Sequence, residues 1–179
     1  MPAHARFRDL IVQHLDAGYN LARWLARDAD DAQDVVQDAC MRALKYADSL
    51  QGNDARAWFL TIVRHAFYDW CKRNRPSEIA HDDGAALDAA IANPAMGPEP
   101  SAIRGAETRA LSEALSQLPL QYREVIVLRE LEELSYKQIA RVVDVPIGTV
   151  MSRLSRARAL LQRSPMLHAI RGQSSGGES

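Results

Sequence analysis

The chain has 179 residues, of which 22 are Lys or Arg, 23 are Asp or Glu and only two are Cys. This length allows one domain or two small ones. Cys40 and Cys71 lack the spacing of a zinc site, and no glycine-rich phosphate loop or nucleophile elbow occurs. We therefore predict no metal, no cofactor, no catalytic residue and no enzyme. No segment approaches the ~20 apolar residues of a membrane span, so we predict a cytoplasmic protein without membrane insertion, its thiols reduced.

Charge is distributed unevenly, so the formal net charge of −1 hides a basic segment. Residues 137–163 hold six basic residues and one acidic residue, whereas residues 76–106 hold one basic and five acidic. A local basic cluster can bind nucleic acid whatever the net charge of the whole chain. The acidic segment also contains four prolines and three glycines, a composition typical of a linker.

Apolar residues recur with helical spacing in almost every other segment, and no alternating strand pattern occurs. Residues 7–25 predict a first helix, weakened around Gly18, and residues 31–47 and 55–73 predict two more. We therefore expect an all-α fold with two small helical domains joined by a flexible acidic linker. The predicted ranges are 1–75 for the first domain, 76–106 for the linker, 107–165 for the second domain and 166–179 for a disordered tail.

The second helix is predicted to be amphipathic. Its inward face is expected to consist of Val36, Cys40, Ala43 and Ala47. Its outward face is expected to carry Asp31, Asp34, Gln37, Asp38, Met41 and Arg42. A solvated helix face is the ordinary interpretation of such a pattern. Met41 lies among charged residues and favours a protein-docking surface, because a flexible thioether adapts to an interface.

The third helix mixes aromatic and basic residues. Its basic residues include Arg56, Arg64, Lys72 and Arg73, and its aromatic residues include Trp58, Phe59, Phe67, Tyr68 and Trp70. Cations that follow phosphates and aromatic rings that stack on unpaired bases are typical of single-stranded DNA binding. An aromatic stripe is equally typical of a helical core, and the residues alone leave both interpretations open.

Residues 135–163 predict a helix-turn-helix. Ser135 and Gln138 form a capping box that starts its first helix. The turn at 144–146 ends that helix, because Asp tolerates the left-handed conformation and proline cannot continue a helix. One face of the second helix is apolar, at Val150, Leu154, Ala157 and Leu161. Polar donors on the opposite face suit the major groove of DNA, although an ordinary helical hairpin with a basic face is the alternative.

Three stretches in this order resemble the extracytoplasmic-function sigma factors, the group IV class of sigma-70-like bacterial transcription factors. They are residues 31–44 (DAQDVVQDACMRAL), residues 55–73 (ARAWFLTIVRHAFYDWCKR) and residues 118–158, which include LSYKQIA and PIGTVMSRLSRAR. The match extends over about residues 5–75 and 107–163. Three motifs in the family's order make the resemblance specific, whereas each motif alone would be weak.

The resemblance implies three binding surfaces. The first would bind core RNA polymerase at the beta-prime clamp helices through Asp31, Asp34, Gln37, Asp38, Met41 and Arg42, and the beta flap would be a further contact. The second would capture the minus-ten strand through Ser49, Gln51, Asn53, Arg56, Arg64, His65, Tyr68, Lys72 and Arg73. The third would read the minus-thirty-five element through Lys137, Thr149, Met151, Ser152, Arg153, Ser155, Arg156 and Arg158. The loop 49–54 would hold a flipped base, and the acidic linker would thread through the polymerase.

The resemblance therefore implies an alternative sigma factor that directs promoter-specific initiation, including DNA melting. It further implies an anti-sigma factor as a partner, which could hold the protein at the membrane. The rival interpretation is an autonomous helix-turn-helix regulator with a helical sensor domain. Three positions depart from the family pattern: Glu133 stands where Gly is common, Met151 where a basic residue is common, and His65 where Asn is frequent.

Overall fold

The computed structural model describes residues 3–50, 52–79 and 105–168. Within these ranges the chain contains helices and no strand, which confirms the all-α prediction. The helices are α1 (Ala3–Ala26), α2 (Ala29–Lys45), α3 (Ala55–Asn74), α4 (Pro76–Ile79), α5 (Gly105–Gln117), α6 (Leu120–Ile126), α7 (Tyr136–Val143) and α8 (Ile147–Gln162). A short 3₁₀ helix covers Ala47–Ser49, and a π-helical turn covers Val127–Leu131. Most of the expected linker, residues 80–104, and the tail residues 169–179 lie outside the described residues.

Helices α1, α2 and α3 pack on one another and form the N-terminal domain. Asp28 caps α2, because its carboxylate accepts hydrogen bonds from the backbone N–H groups of Asp30 (2.9 Å) and Asp31 (3.0 Å). The largest buried side chains of this domain come from all three helices: Leu21, Leu25, Val35, Phe59, Leu60, Val63 and Phe67. Asp28 therefore acts as the N-terminal cap of α2, just before the first residue of the helix.

Gly18 does not weaken α1, which contradicts the expectation from sequence. The helix runs without interruption from Ala3 to Ala26. A Cβ atom at Gly18 would lie 2.6 Å from Cε1 of Phe59, a buried ring on α3. The glycine is therefore explained by the close crossing of α1 and α3, a long-range contact that helix propensity cannot reveal.

The predicted inward face of α2 was wrong by about one residue. The buried positions are Ala32, Val35, Ala39 and Ala43. Val36 and Cys40 are only partly buried, and Ala47 lies in the 3₁₀ helix beyond the end of α2. Small alanines make the close contacts with α1 and α3, and alanine gives a weak hydrophobic signal in a sequence.

Residues 76–79, at the start of the predicted linker, form the short helix α4, which contacts α3. Pro76 starts this helix, where proline is favoured at the first helical position. Glu78 on α4 forms ion pairs with Arg27 and Arg75. At the other end of the linker, α5 begins at Gly105 rather than at residue 107.

The helix-turn-helix has the predicted form. Ser135 and Gln138 form both bonds of the capping box at the start of α7. Asp144 adopts the left-handed conformation with φ of 55°, and α8 follows after Pro146. Val150, Leu154 and Ala157 are buried as predicted, and Leu161 is partly buried.

The two domains pack against each other, which the sequence did not predict. Helix α3 contacts α7, and α1 contacts both α6 and the π-helical turn. Arg123 is 3% exposed and donates hydrogen bonds to the Ser116 carbonyl (2.9 Å) and the Leu25 carbonyl (3.3 Å), which lie at the C-terminal ends of α5 and α1. These carbonyls lack helical partners, so a cation there satisfies them. Burial lowers the pKa of Arg123 to about 10, and the guanidinium remains charged at neutral pH.

Candidate nucleic-acid and protein-docking surfaces

The outer face of α8 is open to solvent. Ser152, Ser155 and Arg156 are exposed, and Met151 is 49% exposed. Thr149, at the start of the helix, is half-buried, and Lys137 on α7 is exposed. The buried stripe Val150, Leu154 and Ala157 holds α8 in place from the opposite side. A rigid helix therefore presents one arginine and two hydroxyl groups outward, a shape and chemistry that fit a DNA groove.

Arg153 and Arg158, which the resemblance assigns to DNA reading, have acidic partners in their own domain. Arg158 donates a hydrogen bond to Glu130 at 2.9 Å, and both side chains are about half exposed. Arg153 is 20% exposed and lies 3.8 Å from the carboxylate of Glu124. Arg156 is exposed and forms no ion pair with another of the described residues.

Three predicted strand-capture residues of α3 lie in the domain interface. Arg64 donates hydrogen bonds to both carboxylate oxygens of Glu124, at 2.8 and 3.2 Å, and the Tyr68 hydroxyl donates to the same carboxylate at 3.1 Å. Arg56 donates to Glu132 at 2.6 Å. Because Glu124 and Glu132 belong to the C-terminal domain, these contacts hold α3 against it.

The remaining predicted strand-capture residues lie outside these contacts. His65, Lys72, Arg73, Ser49 and Asn53 are exposed, and Gln51 lies outside the described residues. Partial desolvation and the nearby Arg64 lower the pKa of His65, so its ring is neutral at neutral pH.

The aromatic residues of α3 are divided between the core and the surface. Phe59 and Phe67 are buried, whereas Trp58, Tyr68 and Trp70 are half-buried at the surface. The Trp58 indole N–H donates to the Ser49 hydroxyl at 3.2 Å, which ties α3 to the loop before it. Core packing therefore accounts for the phenylalanines, and three rings remain at the surface.

The outward face of α2 is partly solvated and partly paired. Asp34, Gln37 and Met41 are exposed, and the Met41 side chain is 68% exposed. Asp34 and Gln37 also line a shallow depression between α1 and α2, together with Tyr19, Gln33 and Val36.

The other three members of this face are half-buried, which corrects their expected exposure. Asp31 binds Arg75 at 2.7 Å. Arg42 bridges Asp38 (2.8 Å) and Asp69 (2.7 Å). These ion pairs fix α2 to α3, so the accessible part of the predicted docking surface is Asp34, Gln37 and Met41.

The carboxylates that face α3 were not predicted from the sequence. Glu124 is 1% exposed and Glu132 is 3% exposed. Glu124 precedes the buried Leu128 by four residues, so helical periodicity places it on the inward face of its helix. A charged residue at an inward helical position could have indicated this pairing, because buried charged residues are almost always paired.

Two further observations concern metals and membranes. In the described ranges no group of three or more His, Cys, Asp or Glu side chains could hold a metal ion. None of the helices within those ranges is both long and apolar enough to cross a membrane. Cys40 and Cys71 are free thiols, and burial raises the pKa of Cys71 to about 12.

Comparison with known proteins gives a consistent match. Residues 10–76 match the family model "Sigma-70 region 2", and residues 108–161 match "Sigma-70, region 4". The chain is 34% identical to the ECF RNA polymerase sigma factor EcfG of Rhodopseudomonas palustris, covering 90% of this chain and 86% of that protein. It is 27% identical to the ECF RNA polymerase sigma factor SigW of Bacillus subtilis, covering 88% and 87%. The sigma factor RpoE of Bartonella quintana, solved in complex with the anti-sigma factor NepR, has a TM-score of 0.70 and 32% identity over 88% of this chain and 94% of that one.

Proposed function

The chain belongs to the extracytoplasmic-function (ECF) sigma factors of bacterial RNA polymerase, and we propose that it binds core polymerase, recognises a two-part promoter and helps to melt it. It acts as an alternative sigma factor that directs transcription. The chain supplies binding energy and strand capture, while the polymerase performs the chemistry. The proposed compartment for this transcription initiation is the cytoplasm.

The exposed face of α8 is the observation that carries the proposed reading of the minus-thirty-five element. Ser152, Ser155 and Arg156 point away from the core of the helix-turn-helix. An arginine can bind a guanine edge with two hydrogen bonds, which is the commonest specific contact in the major groove. Lys137 and Thr149 would contact the DNA backbone beside it, and Met151 would make an apolar contact.

Helix α3 is the proposed site of minus-ten capture. Arg56, Arg64, Lys72 and Arg73 supply cations for phosphates, and Tyr68 with the neighbouring tryptophans supplies stacking surfaces. His65, Ser49, Gln51 and Asn53 would surround a base flipped from the non-template strand. Unpairing costs a few kcal/mol, and stacking of about 1–3 kcal/mol per captured base offsets this.

The accessible part of α2 is the proposed contact for the clamp helices of the polymerase beta-prime subunit. Asp34, Gln37 and Met41 combine negative charge with an exposed thioether beside a depression. Asp31, Asp38 and Arg42 would act by holding this face in position. We propose the beta flap as a contact of the C-terminal domain, and a path through the polymerase for the acidic linker.

An anti-sigma factor is a further proposed partner, which could hold this chain at the membrane. Its support is the fold shared with RpoE, whose structure was solved in complex with an anti-sigma factor. The rival function, an autonomous helix-turn-helix regulator, would require tight duplex binding without polymerase. The match of both domains to sigma-70 regions favours the sigma factor.

In-vitro transcription tests the proposal directly. Core polymerase is supplied with templates whose minus-thirty-five and minus-ten segments are randomised, with and without the chain. We expect transcripts from a selected subset of templates only when the chain is present, and Arg156→Ala should change that subset. Nanomolar sequence-specific duplex binding by the chain alone, without selective initiation, would favour the regulator instead.

A further inference from the structure

The loop 49–54, the proposed pocket for a flipped base, is bound at both of its ends by one residue of α3. The backbone N–H of Trp58 donates to the Asp54 carbonyl at 3.1 Å, in the first turn of α3. The indole N–H of the same residue donates to the Ser49 hydroxyl at 3.2 Å. Trp58 therefore connects the first and last residues of the loop and restrains the distance between them.

Ser49 connects the Trp58 indole to the end of α2. A serine hydroxyl has a single proton, and Ser49 donates it to the Tyr46 carbonyl at 2.7 Å. The backbone N–H of Ser49 donates to the same carbonyl at 2.9 Å. Tyr46 is the C-terminal cap of α2. A chain of hydrogen bonds thus runs from α3 through Ser49 to α2, and the members of such a chain strengthen one another.

The Trp58 ring is itself held by packing. It is half-buried, and the Phe7 ring of α1 meets it edge to face, with ring centroids 5.6 Å apart and an angle of 78° between the planes. This arrangement of two aromatic rings is favourable beyond the area that it buries. Because the ring is fixed from the side of α1, the hydrogen bond to Ser49 restrains the loop.

The middle of the loop makes few contacts. Gly52 has φ of 79°, a left-handed conformation that glycine adopts readily. A Cβ atom at Gly52 would meet none of the described residues within 4 Å, so the backbone conformation explains this glycine. Asn53 is exposed, and its side chain makes no hydrogen bond with another described residue. The Asn53 amide is therefore free to bind a base, whereas Ser49 has no proton left to donate.

A restrained loop has a physical advantage in base capture. Ordering loop residues costs conformational entropy, so a ligand binds more tightly to a loop that already has the required shape. Hydrogen bonds to a base also weaken steeply when distance and angle change. A displaced loop should therefore lose affinity for its preferred base more than for the others.

From this geometry we propose that Trp58 is a positioning residue for base capture. Its indole N–H, acting through Ser49, holds the loop 49–54 in the shape that receives a flipped base. Ser49 then belongs to the frame of the pocket, and Asn53 contacts the base. The inference rests on the proposed capture of a base by this loop, and it adds a division between residues that position the loop and a residue that binds.

The test uses pre-melted templates in which the single-stranded non-template segment is randomised, with core polymerase and the whole chain. Trp58→Phe keeps an aromatic ring for stacking and packing but removes the N–H, and Ser49→Ala removes the acceptor. Each should lower initiation on the preferred segments by about three- to tenfold, the effect of one hydrogen bond, and should reduce the ratio of preferred to disfavoured segments. The double variant should lose no more than the weaker single variant, because both changes remove the same bond. Ser49→Thr keeps a hydroxyl and should restore the preference.

Hydrogen exchange of the chain alone provides a second measurement, which needs no polymerase. The backbone N–H of Leu50 donates to the Ala47 carbonyl at 3.2 Å, in the turn that Ser49 belongs to. Its exchange reports local opening of this turn. Trp58→Phe should accelerate exchange of the Leu50 amide by about three- to tenfold, since one hydrogen bond that restrains the turn is lost.

Ser116→Ala is the matched control. The Ser116 hydroxyl donates to the Glu113 carbonyl at 2.7 Å, a bond to the residue three positions earlier, as in Ser49. Ser116 lies on α5 and is half-buried. Its replacement should leave both the segment preference and the exchange of the Leu50 amide within about twofold of wild type.

The outcomes distinguish the positioning role from the proposed function. Additive losses in the double variant, or an equal loss on every segment, would overturn the positioning role, because either result would assign the effect to stacking or to fold stability. Unchanged exchange of the Leu50 amide in Trp58→Phe would also overturn it. A wild-type chain that shows no preference among the single-stranded segments would contradict the proposed base capture instead.

Discussion

Helices α3 and α8 both carry the arginines of a DNA-binding protein, but the chain presents them in opposite ways. On α8 the predicted base-reading residues Ser152 and Arg156 face solvent. On α3 the arginines Arg56 and Arg64 contact carboxylates of the other domain. The face of α8 that we propose reads duplex DNA is therefore open, whereas part of the face of α3 that we propose captures a single strand is paired with the other domain.

This difference has a physical basis in the two kinds of DNA. Double-stranded DNA offers a rigid groove, so a fixed helix can be complementary to it in advance. An unpaired strand exists only after melting, and an exposed surface of cations and aromatic rings would bind other nucleic acids without selectivity. Pairing with Glu132 and Glu124 neutralises two of the α3 cations, Arg56 and Arg64, in the described structure.

The largest expected effect follows from loss of polymerase docking. Asp34→Lys with Met41→Ala should weaken binding to core polymerase by more than about a hundredfold, because a reversed charge opposes the partner and an exposed anchor is lost. Helical content should not change, since both residues are exposed. Affinity for core polymerase is measured by fluorescence anisotropy.

The control is Asp16→Lys, which makes the same charge reversal at an exposed position on α1. It should bind polymerase normally. Normal holoenzyme assembly by the Asp34→Lys, Met41→Ala variant would place the docking surface elsewhere.

The next largest effect separates the proposed roles of α8 and α3. Arg156→Ala should lower initiation on duplex promoters by about ten- to a hundredfold, the loss of about 1–3 kcal/mol for one base contact, and should leave a pre-melted template nearly unaffected. Tyr68→Ala should impair both templates, because it removes a stacking surface for the unpaired strand. The measurement compares initiation rates on duplex and pre-melted templates of the same sequence. Equal losses on both templates for Arg156→Ala would contradict the proposed division of roles between α8 and α3.

A smaller effect is expected for Arg158, which already has a partner in Glu130. Arg158→Ala should weaken all duplex promoters alike by about two- to fivefold, since an exposed pair and a phosphate contact contribute less than a base contact. The slope of log affinity against log salt concentration should fall by about one. A loss confined to one promoter sequence would instead assign Arg158 to base reading.

The smallest effect concerns backbone strain at Glu133. This residue has φ of 54°, a left-handed conformation that disfavours a side chain. Glu133→Gly should raise the free energy of unfolding by about 0.5–1 kcal/mol, the relief of strain less the added entropy of glycine in the unfolded chain. Glu133→Ala keeps the Cβ atom and should give no such gain. Chemical denaturation followed by circular dichroism compares the two.

Local signals predicted local structure well. Ser135 and Gln138 define the start of α7, and Asp144 with Pro146 defines the turn, because each acts on residues within a few positions in sequence. The left-handed backbone at Glu133 also fits the family resemblance, which implies a glycine at this position. The exposed face of α8 followed from the same reasoning, since one buried stripe determines which residues face outward.

Contacts between distant residues could not be predicted in this way. Arg64 and Glu124 are 60 positions apart, and nothing in either segment indicates the other. Helix propensity predicts a weak point at Gly18, whereas in the structure this glycine allows the Phe59 ring of α3 to approach α1 closely. The inward face of α2 was misplaced because alanines, rather than large apolar residues, make its closest contacts.

The distance between the domains tests the central claim most directly. Dyes are attached through Val12→Cys on α1 and Arg109→Cys on α5, both at exposed positions, with Cys40→Ser to prevent unwanted labelling. Cys71 is buried, and its raised pKa of about 12 keeps the thiol unreactive. We expect efficient energy transfer in the folded chain, because α3 packs against the C-terminal domain. A transfer efficiency no higher than that of the chain unfolded in denaturant would contradict the central claim that Arg56 and Arg64 of α3 pair with carboxylates of the C-terminal domain.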